Sequence, residues 1–162
     1  MNLLKKSITG VLLAAAMGSS VAANAACSNP VEKLSRIINC IDVENAFCAA
    51  SGYDTWRFRK FHNGVDTNTN NFLLTTIGWL TTFNFIGFEF DIERMEENED
   101  GTVDFDYYEY VRFPDGEIIT QYEKAVVHFN NRCRMTLWDQ TGDQAEQDAV
   151  DEKTKELFPW FN

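Results

Sequence analysis

The sequence predicts an α+β fold in which N-terminal helices and a C-terminal helix pack on a curved antiparallel sheet. Three observations lead to this prediction. Apolar residues recur at helical spacing soon after position 30, apolar and polar residues alternate through most of positions 88–138, and a capped polar helix follows from position 143. The sheet is predicted as a four-stranded meander with one further strand from the N-terminal half. A chain of 162 residues has the size of a single domain.

Residues 1–25 have the pattern of a cleavable signal peptide. Lys5 and Lys6 precede an apolar run from position 8 to 17, and small residues end in an Ala-x-Ala site that places cleavage after Ala25. The apolar run is too short for a membrane span, which needs about 20 residues. The sequence therefore predicts a periplasmic or secreted chain that is not inserted in a membrane after cleavage. Residues 26–162 would form one domain with an aromatic C-terminal tail.

Lipidation of Cys27 is the alternative fate of the leader. It is disfavoured because positions 24–26, Asn-Ala-Ala, lack the leucine that lipoprotein signals usually carry three residues before the cysteine.

The charge of the chain excludes two classes of partner. The net charge is −11 and becomes −13 when Lys5 and Lys6 leave with the signal peptide. Nucleic acids and anionic membrane surfaces would repel such a protein. An acidic, solvated surface that keeps an exported domain soluble is the simplest interpretation.

The four cysteines all follow the predicted cleavage site, and an even number in an oxidising compartment favours two disulfides. On an unbroken helix Cys40 and Cys48 would lie about 12 Å apart, beyond the reach of a disulfide. A second helix start near Asp42 breaks that helix and lets the two meet, so we predict Cys40–Cys48 and, by elimination, Cys27–Cys133. There is no Cys-x-x-Cys and the two histidines are far apart in sequence, so neither a metal nor a cofactor is predicted.

Two helices are predicted before the sheet. The first has Asn29 as its N-cap and Pro30 at its first helical position. Its apolar stripe consists of Val31, Leu34, Ile37, Ile38 and Ile41. The second starts in segment 42–45 and ends near Gly52.

One strand, 56–62, is predicted next, closed by a turn at Asn63-Gly64. The polar segment 66–71 is predicted as a loop. Segment 72–83 is predicted as a helix from the spacing of Leu73, Ile77 and Leu80, although its threonines and Gly78 weaken that pattern.

The meander follows, with strands predicted at 88–93, 103–113, 118–129 and 132–138. Its turns lie at 99–102, 114–116 and 130–131, and Gly87 is interpreted as the site of a bulge. Asp143 then caps the last helix, which runs to about Leu157.

The stretch from Glu89 to Asp143 resembles the SnoaL-like branch of the nuclear transport factor 2-like (NTF2-like) superfamily. The resemblance rests on element order and on Asp100-Gly101, Asp115-Gly116 and Trp138-Asp139. It implies a cone-shaped sheet wrapped by helices, with a pocket open at one end. The superfamily contains isomerases, cyclases, dehydratases and epoxide hydrolases, and also members that only bind ligands or assemble complexes. Fold alone does not choose between these functions.

Two carboxylates are predicted on apolar strand faces. Glu109 shares a face with Val103, Phe105, Tyr107 and Val111, and Asp139 shares one with Met135 and Leu137. Burial raises the pKa of a carboxyl group and suits it to general acid–base catalysis. Three simpler interpretations stay open: Asp139 is solvated or caps a turn, Glu109 pairs with Arg132 or Arg134, or a bulge reverses the alternation.

His62 is the third candidate catalytic residue, because a His–Asp pair with Asp42 or Asp54 could transfer protons. An exposed histidine at a strand end is the alternative. The residues predicted to line the pocket are Phe88, Phe90, Phe105, Tyr107, Met135 and Leu137.

The leading hypothesis from the sequence is an exported SnoaL-like domain that binds a small, largely hydrophobic molecule. Its chemistry would be metal-free proton transfer of the lyase, isomerase or cyclase type. The alternative is a non-catalytic module that forms a homodimer or docks on an envelope assembly.

Overall fold

The computed structural model describes residues 27–54, 56–67, 80 and 82–159. The predicted signal peptide, most of the predicted helix 72–83 and the last three residues of the aromatic tail lie outside these residues. Those expectations stay predictions. Within the described ranges, no helix is long and apolar enough to cross a bilayer.

Three helices form where the sequence predicts them: α1 (Pro30–Asp42), α2 (Ala46–Ser51) and α3 (Gln144–Leu157). Asn45 caps α2 by accepting a hydrogen bond from the Cys48 backbone N–H, and Asp143 caps α3 by accepting one from Ala145. Asn29 precedes α1 in a left-handed conformation and makes no side-chain cap. Its amide instead donates to Glu32.

Six strands form one curved sheet: β1 (Arg59–His62), β2 (Val65–Asp66), β3 (Gly87–Glu97), β4 (Val103–Arg112), β5 (Ile118–Phe129) and β6 (Met135–Gly142). Their spatial order is β2-β1-β6-β5-β4-β3. The predicted antiparallel meander is confirmed as β3 to β6, and β1 is added parallel to β6.

Several details of the strand prediction are wrong, among them the last strand, which spans Met135–Gly142 rather than 132–138. The first strand begins at Arg59 rather than at position 56, and β2 forms at the start of the predicted polar loop. The bulge in β3 lies between Ile92 and Arg94 rather than at Gly87.

The main core lies between α1 and the inner face of the sheet. The buried face of α1 (Leu34, Ile37, Ile38 and Ile41) packs in one cluster with Val103, Phe105 and Tyr107 of β4. A smaller cluster at the far end of β4 contains Val111, Phe113, Ile86 and Phe158, so the first residue of the aromatic tail is buried. The predicted apolar face of β4 is therefore the inner face of the sheet.

On β6 the predicted face is wrong. Phe129 pairs with Met135 and His128 pairs with Leu137, so Thr136 is an extra residue that reverses the alternation. Met135 and Trp138 are buried on the inner side, whereas Asp139 is exposed. Leu137 and Asp139 therefore do not share the face of Met135.

Two disulfides join Cys27 to Cys133 and Cys40 to Cys48, as predicted. The helix ends at Asp42, and the chain turns so that the Cα atoms of Cys40 and Cys48 lie 5.6 Å apart. The Cys27–Cys133 bridge fastens the segment before α1 to the turn between β5 and β6.

The two disulfides are expected to contribute unequally to stability. The bridges span 106 and 8 residues, so loss of closure entropy in the unfolded chain predicts about 5 kcal/mol for Cys27–Cys133 and about 2.5 kcal/mol for Cys40–Cys48. Guanidinium unfolding of the Cys27→Ala/Cys133→Ala and Cys40→Ala/Cys48→Ala variants measures both values. A larger loss from the short-loop pair would contradict the prediction.

Candidate functional site

The inner sheet face carries polar side chains from four strands between its two apolar clusters. The pairing brings them into neighbouring positions, because Glu109 lies opposite Gln121 and Gln140 lies opposite His62. All of them come from positions that alternate with outward-facing residues. The set consists of Lys60 and His62 on β1, Glu109 on β4, Gln121 and Glu123 on β5, and Gln140 on β6.

Glu123 is fully buried at the centre of this set. Its Oε1 lies 3.3 Å from Nε2 of His62, which is itself buried. Its Oε2 has no hydrogen-bond partner among the described residues. A buried carboxyl oxygen without a partner is costly, so it is a position at which a ligand group or a proton can be accommodated.

Gly142 makes the space for the Glu123 carboxyl group. The two residues are paired across β5 and β6, and a Cβ at position 142 would lie 2.5 Å from the Glu123 carboxyl carbon. Any side chain there would displace the carboxyl group. The glycine is thus a steric requirement of the site.

Glu109 lies diagonally across the β4–β5 pair from Glu123, on the same face and about 7–8 Å away between Cα atoms. With its amide nitrogen turned towards β4, Gln121 donates to Glu109 Oε2 at 3.3 Å and accepts from the backbone N–H of Gln147 at 3.3 Å. This contact joins helix α3 to the site. Glu109 is only partly buried, so it retains access from outside.

Burial shifts the pKa values of the acidic groups upward. It raises the pKa of Glu109 to about 7, with Lys60 opposing the shift and Glu123 adding to it. It also raises the pKa of Glu123 to about 7, again opposed by Lys60 and increased by Glu146. Both carboxyl groups therefore exchange protons near neutral pH, where general acid–base catalysis is most effective.

His62 is shifted in the opposite direction. Burial lowers its pKa, the Lys60 ammonium lowers it further, and Asp151 partly offsets the change. The imidazole is thus mainly neutral at pH 7 and can share a proton with Glu123 without carrying a charge itself.

Aromatic rings of the core lie beside the carboxyl groups. Tyr107 stacks on Phe105 at 4.2 Å between ring centroids and contacts Phe90 at 5.3 Å. Trp138 meets Phe105 and Tyr107 edge-on at 5.8 and 6.2 Å. Burial and the nearby Glu109 and Glu123 raise the pKa of Tyr107 well above its usual value, so its hydroxyl group keeps its proton.

The structure brings some predicted site residues together and separates others. His62, Glu109, Phe90, Phe105 and Tyr107 lie in one region of the inner face. Phe88 is partly buried against the core and Met135 is buried within it. Leu137 and Asp139 lie outside this region because of the bulge in β6.

The predicted partners of His62 and Glu109 are also different. Asp42 accepts a hydrogen bond from the Phe90 backbone N–H, and Asp54 accepts one from Asn130. His62 is buried against Glu123 rather than exposed. Arg132 and Arg134 are exposed near the turn between β5 and β6, away from Glu109.

Sequence reasoning missed four members of the site: Lys60, Gln121, Glu123 and Gln140. The signal for Glu123 was present, because Glu123 alternates in register with Ala125 and Val127, both buried on the inner face. No local pattern marks Lys60, whose position depends on the pairing of β1 with β6. Across the described ranges, no group of three or more His, Cys, Asp or Glu residues is arranged to hold a metal ion.

No family model and no curated protein matches this sequence. Solved structures do match it. The BvnE pinacolase from Penicillium brevicompactum is 12% identical, with 79% of this chain and 95% of that chain covered and a TM-score of 0.64. An LEH-like epoxide hydrolase from M. tuberculosis is 14% identical, with 72% and 80% covered and a TM-score of 0.63.

A protein from Shewanella denitrificans OS-217 described as a SnoaL-like polyketide cyclase is also similar. It is 14% identical, with 76% of this chain and 97% of that chain covered and a TM-score of 0.63. At such identities the similarity concerns the fold. The chain has the SnoaL-like, NTF2-like fold that the sequence predicts.

Neutralising Glu123 is expected to change stability in a pH-dependent way. The pKa is raised from 4.5 to about 7 on folding. The protonated form therefore stabilises the parent below about pH 4.5, and this contribution is lost as pH rises through 7. The unfolding free energy of Glu123→Gln relative to that of the parent should therefore increase as the pH rises from 5 to 8, by up to about 3 kcal/mol.

Urea unfolding at both pH values measures this gain, with Glu152→Gln, which removes an exposed charge from α3, as the control. A difference between Glu123→Gln and the parent that is the same at pH 5 and pH 8 would contradict the raised pKa.

Gly142→Ala is expected to destabilise the protein by about 1–3 kcal/mol, because the added Cβ collides with the Glu123 carboxyl group. In a Glu123→Ala background the same substitution should cost little, since the colliding group is gone. Unfolding of the four proteins gives the coupling energy. Equal costs in both backgrounds would show that Gly142 is required for another reason.

Proposed function

We propose that this chain is an exported domain that binds a small, largely hydrophobic molecule against the inner face of its sheet. We further propose that Glu109 transfers protons to and from that molecule, with Glu123 behind it as a second proton-exchanging group, in chemistry of the lyase, isomerase or cyclase type. The observation that carries the proposal is the pair of inward-facing carboxyl groups with pKa values of about 7 beside the partly buried Phe90 and the buried rings that it contacts.

The two carboxyl groups differ in access, and this gives them different roles. Glu109 is partly exposed and lies next to Phe90 across β3 and β4, so it is the group that contacts the ligand. Glu123 is fully buried behind it and shares a proton with His62. Gln121 is a positioning residue, because its amide orients Glu109 and is itself held by the α3 backbone.

The proposed step moves a proton between Glu109 and the ligand without changing the total charge of the site. In its ionised form Glu109 accepts a proton from a C–H or O–H group of the ligand, as the electrons of that bond move into the ligand. In its protonated form it returns a proton to a ligand oxygen or carbon. Glu109 and Glu123 titrate near the same pH, so neither carboxyl group holds the proton much more strongly than the other. This favours the exchange.

The solved structures of the same fold support an enzymatic function. Their descriptions name a pinacolase, an epoxide hydrolase and a polyketide cyclase. Export is supported by the signal-peptide pattern of residues 1–25 and by the two disulfides, which persist in oxidising compartments.

A non-catalytic interaction module is the second candidate, and the outer sheet face favours it. Tyr108 and Tyr122 pair across β4 and β5 with ring centroids 4.9 Å apart, and Tyr108 and Val126 are substantially exposed. Such a surface can bury apolar area against another protein or a second copy of the chain.

A ligand screen followed by substitution of Glu109 tests the first proposal. Native mass spectrometry with a panel of apolar carbonyl compounds and epoxides identifies binders, and product analysis identifies turnover. Glu109→Gln is expected to retain binding and lower turnover by about 10²–10⁴-fold. Glu152→Gln on the outer surface of α3 is the matched control and should retain turnover.

Unchanged turnover in Glu109→Gln would exclude the proposed role of that carboxyl group. A screen without binders, together with a dimer in analytical ultracentrifugation that Tyr108→Ser disrupts, would favour the interaction module.

A further inference from the structure

Positive charge is concentrated at the end of the sheet formed by the turn between β5 and β6. A cleft of about 690 Å³ there is lined by Arg57, Arg132 and Arg134 together with Trp56 and two asparagines. A smaller cleft of about 250 Å³ shares Arg132 and Arg134 and adds Lys33 and Arg36. Five of the chain's 14 lysine and arginine residues thus line these adjoining spaces, which we call the basic cleft.

Among the described residues, all three arginines outside the cleft have carboxylate partners, whereas of the lysines there only Lys153 has one. Arg59 pairs with Asp66, and further pairs of the same kind are Arg94–Asp106, Arg112–Glu89 and Lys153–Asp115. In the basic cleft, the side chains of Arg57 and Arg132 form no ion pair or hydrogen bond with any described residue. This is unexpected in a chain with 25 acidic residues.

The one carboxylate that lines the larger cleft is engaged by neutral donors. Asp54 accepts from the Asn130 amide at 2.8 Å and from the Trp56 backbone N–H at 3.2 Å. Arg134 donates to the backbone carbonyl oxygen of Ser51. Asp54 is thus the one carboxylate that faces three arginines in the larger cleft, and an anion bound there would offset the remaining repulsion between them.

The backbone that carries two of these arginines is fixed. Asn130 Oδ1 accepts from the backbone N–H groups of Arg132 and Arg134 at 2.9 and 3.0 Å. Cys133, which forms the disulfide with Cys27, lies between these two arginines in sequence. A preorganised site loses less entropy on binding than a flexible one.

Trp56 adds an aromatic surface to the cleft. Its side chain is 79% exposed, which is unusual for so large an apolar group. An indole face beside arginines can stack on a flat or sugar-like ring while the guanidinium groups bind an attached oxyanion.

We propose that the basic cleft binds a small organic oxyanion, a soluble phosphate or carboxylate whose ring stacks on Trp56. Its volume lies within the usual range for small-molecule sites. Guanidinium groups bind both oxyanions in a bidentate manner. The site is distinct from the one that contains Glu109, which lies six residues along β4 from Val103, about 20 Å towards the other end of the sheet.

Matched probes test the charge and the ring separately. Calorimetry with the exported protein measures binding of phenyl phosphate, benzoate and inorganic phosphate, and benzamide serves as the neutral counterpart of benzoate. The indole N–H signal of Trp56, assigned with Trp56→Phe, reports whether the ring lies in the cleft. Phenyl phosphate and benzoate should bind saturably and shift this signal, and benzamide should not.

Arg57→Gln/Arg132→Gln is expected to weaken phenyl phosphate binding by at least about tenfold, with an unchanged melting temperature as the check on folding. Arg112→Gln, which removes the same charge from a paired arginine outside the cleft, should leave binding nearly unchanged. Equal binding of benzamide and benzoate, or equal weakening by Arg112→Gln, would overturn the proposal. Binding to phosphatidylglycerol vesicles without any response to phenyl phosphate would overturn it in favour of a lipid headgroup.

Discussion

The packing of α1 on the inner face of the sheet is the interaction on which the rest of the structure depends. Leu34, Ile37, Ile38 and Ile41 of α1 form one buried cluster with the inward residues of β4. The helix and the strand thereby shield each other's apolar side chains from water. The buried polar groups lie between this cluster and the smaller apolar cluster that contains Val111 and Phe113.

Two carboxyl groups thus occur on an otherwise apolar face, between its two clusters. Glu109 comes four residues after Phe105 on the same side of β4, past the rings that pack with α1. Glu123 is opposite Tyr107 and has room only because position 142 is glycine. Their raised pKa values follow from this placement, since the surrounding rings remove water and offer little in exchange. The chemistry proposed for the site is thus a consequence of burying two carboxyl groups between apolar side chains.

Strand alternation predicted the site only where the ladder is regular. It located Glu109 correctly, because β4 and β5 pair without a bulge from Val103 to Arg112. It failed for Asp139, because the extra residue at Thr136 reverses the faces of β6 and brings Trp138 and Gln140 inward. A bulge depends on how two strands fit together locally, and no residue in segment 132–138 predicts it. The contact between His62 and Glu123, 61 positions apart, depends on β1 pairing parallel to β6, which the order of elements alone does not specify.

The disulfides were predictable because two helix starts, at Pro30 and near Asp42, leave a local break whose geometry decides the pairing.

The two proposed sites lie on one sheet and have opposite electrostatic character. The inner site contains acidic groups kept partly neutral by burial, and the basic cleft contains exposed arginines. Glu109 lies about 20 Å along β4 from the end of the sheet that carries the cleft, which exceeds the screening length of about 8 Å at physiological ionic strength. Each site therefore selects its ligand by its own chemistry. The inner site favours a neutral, apolar molecule, because an anion there would add to the charge of Glu109 and Glu123. The basic cleft favours an anion, because Asp54 is the one carboxylate that lines it and the side chains of Arg57 and Arg132 form no ion pair with any described residue. One small sheet can serve both ligands because burial controls charge at one site and exposure controls it at the other.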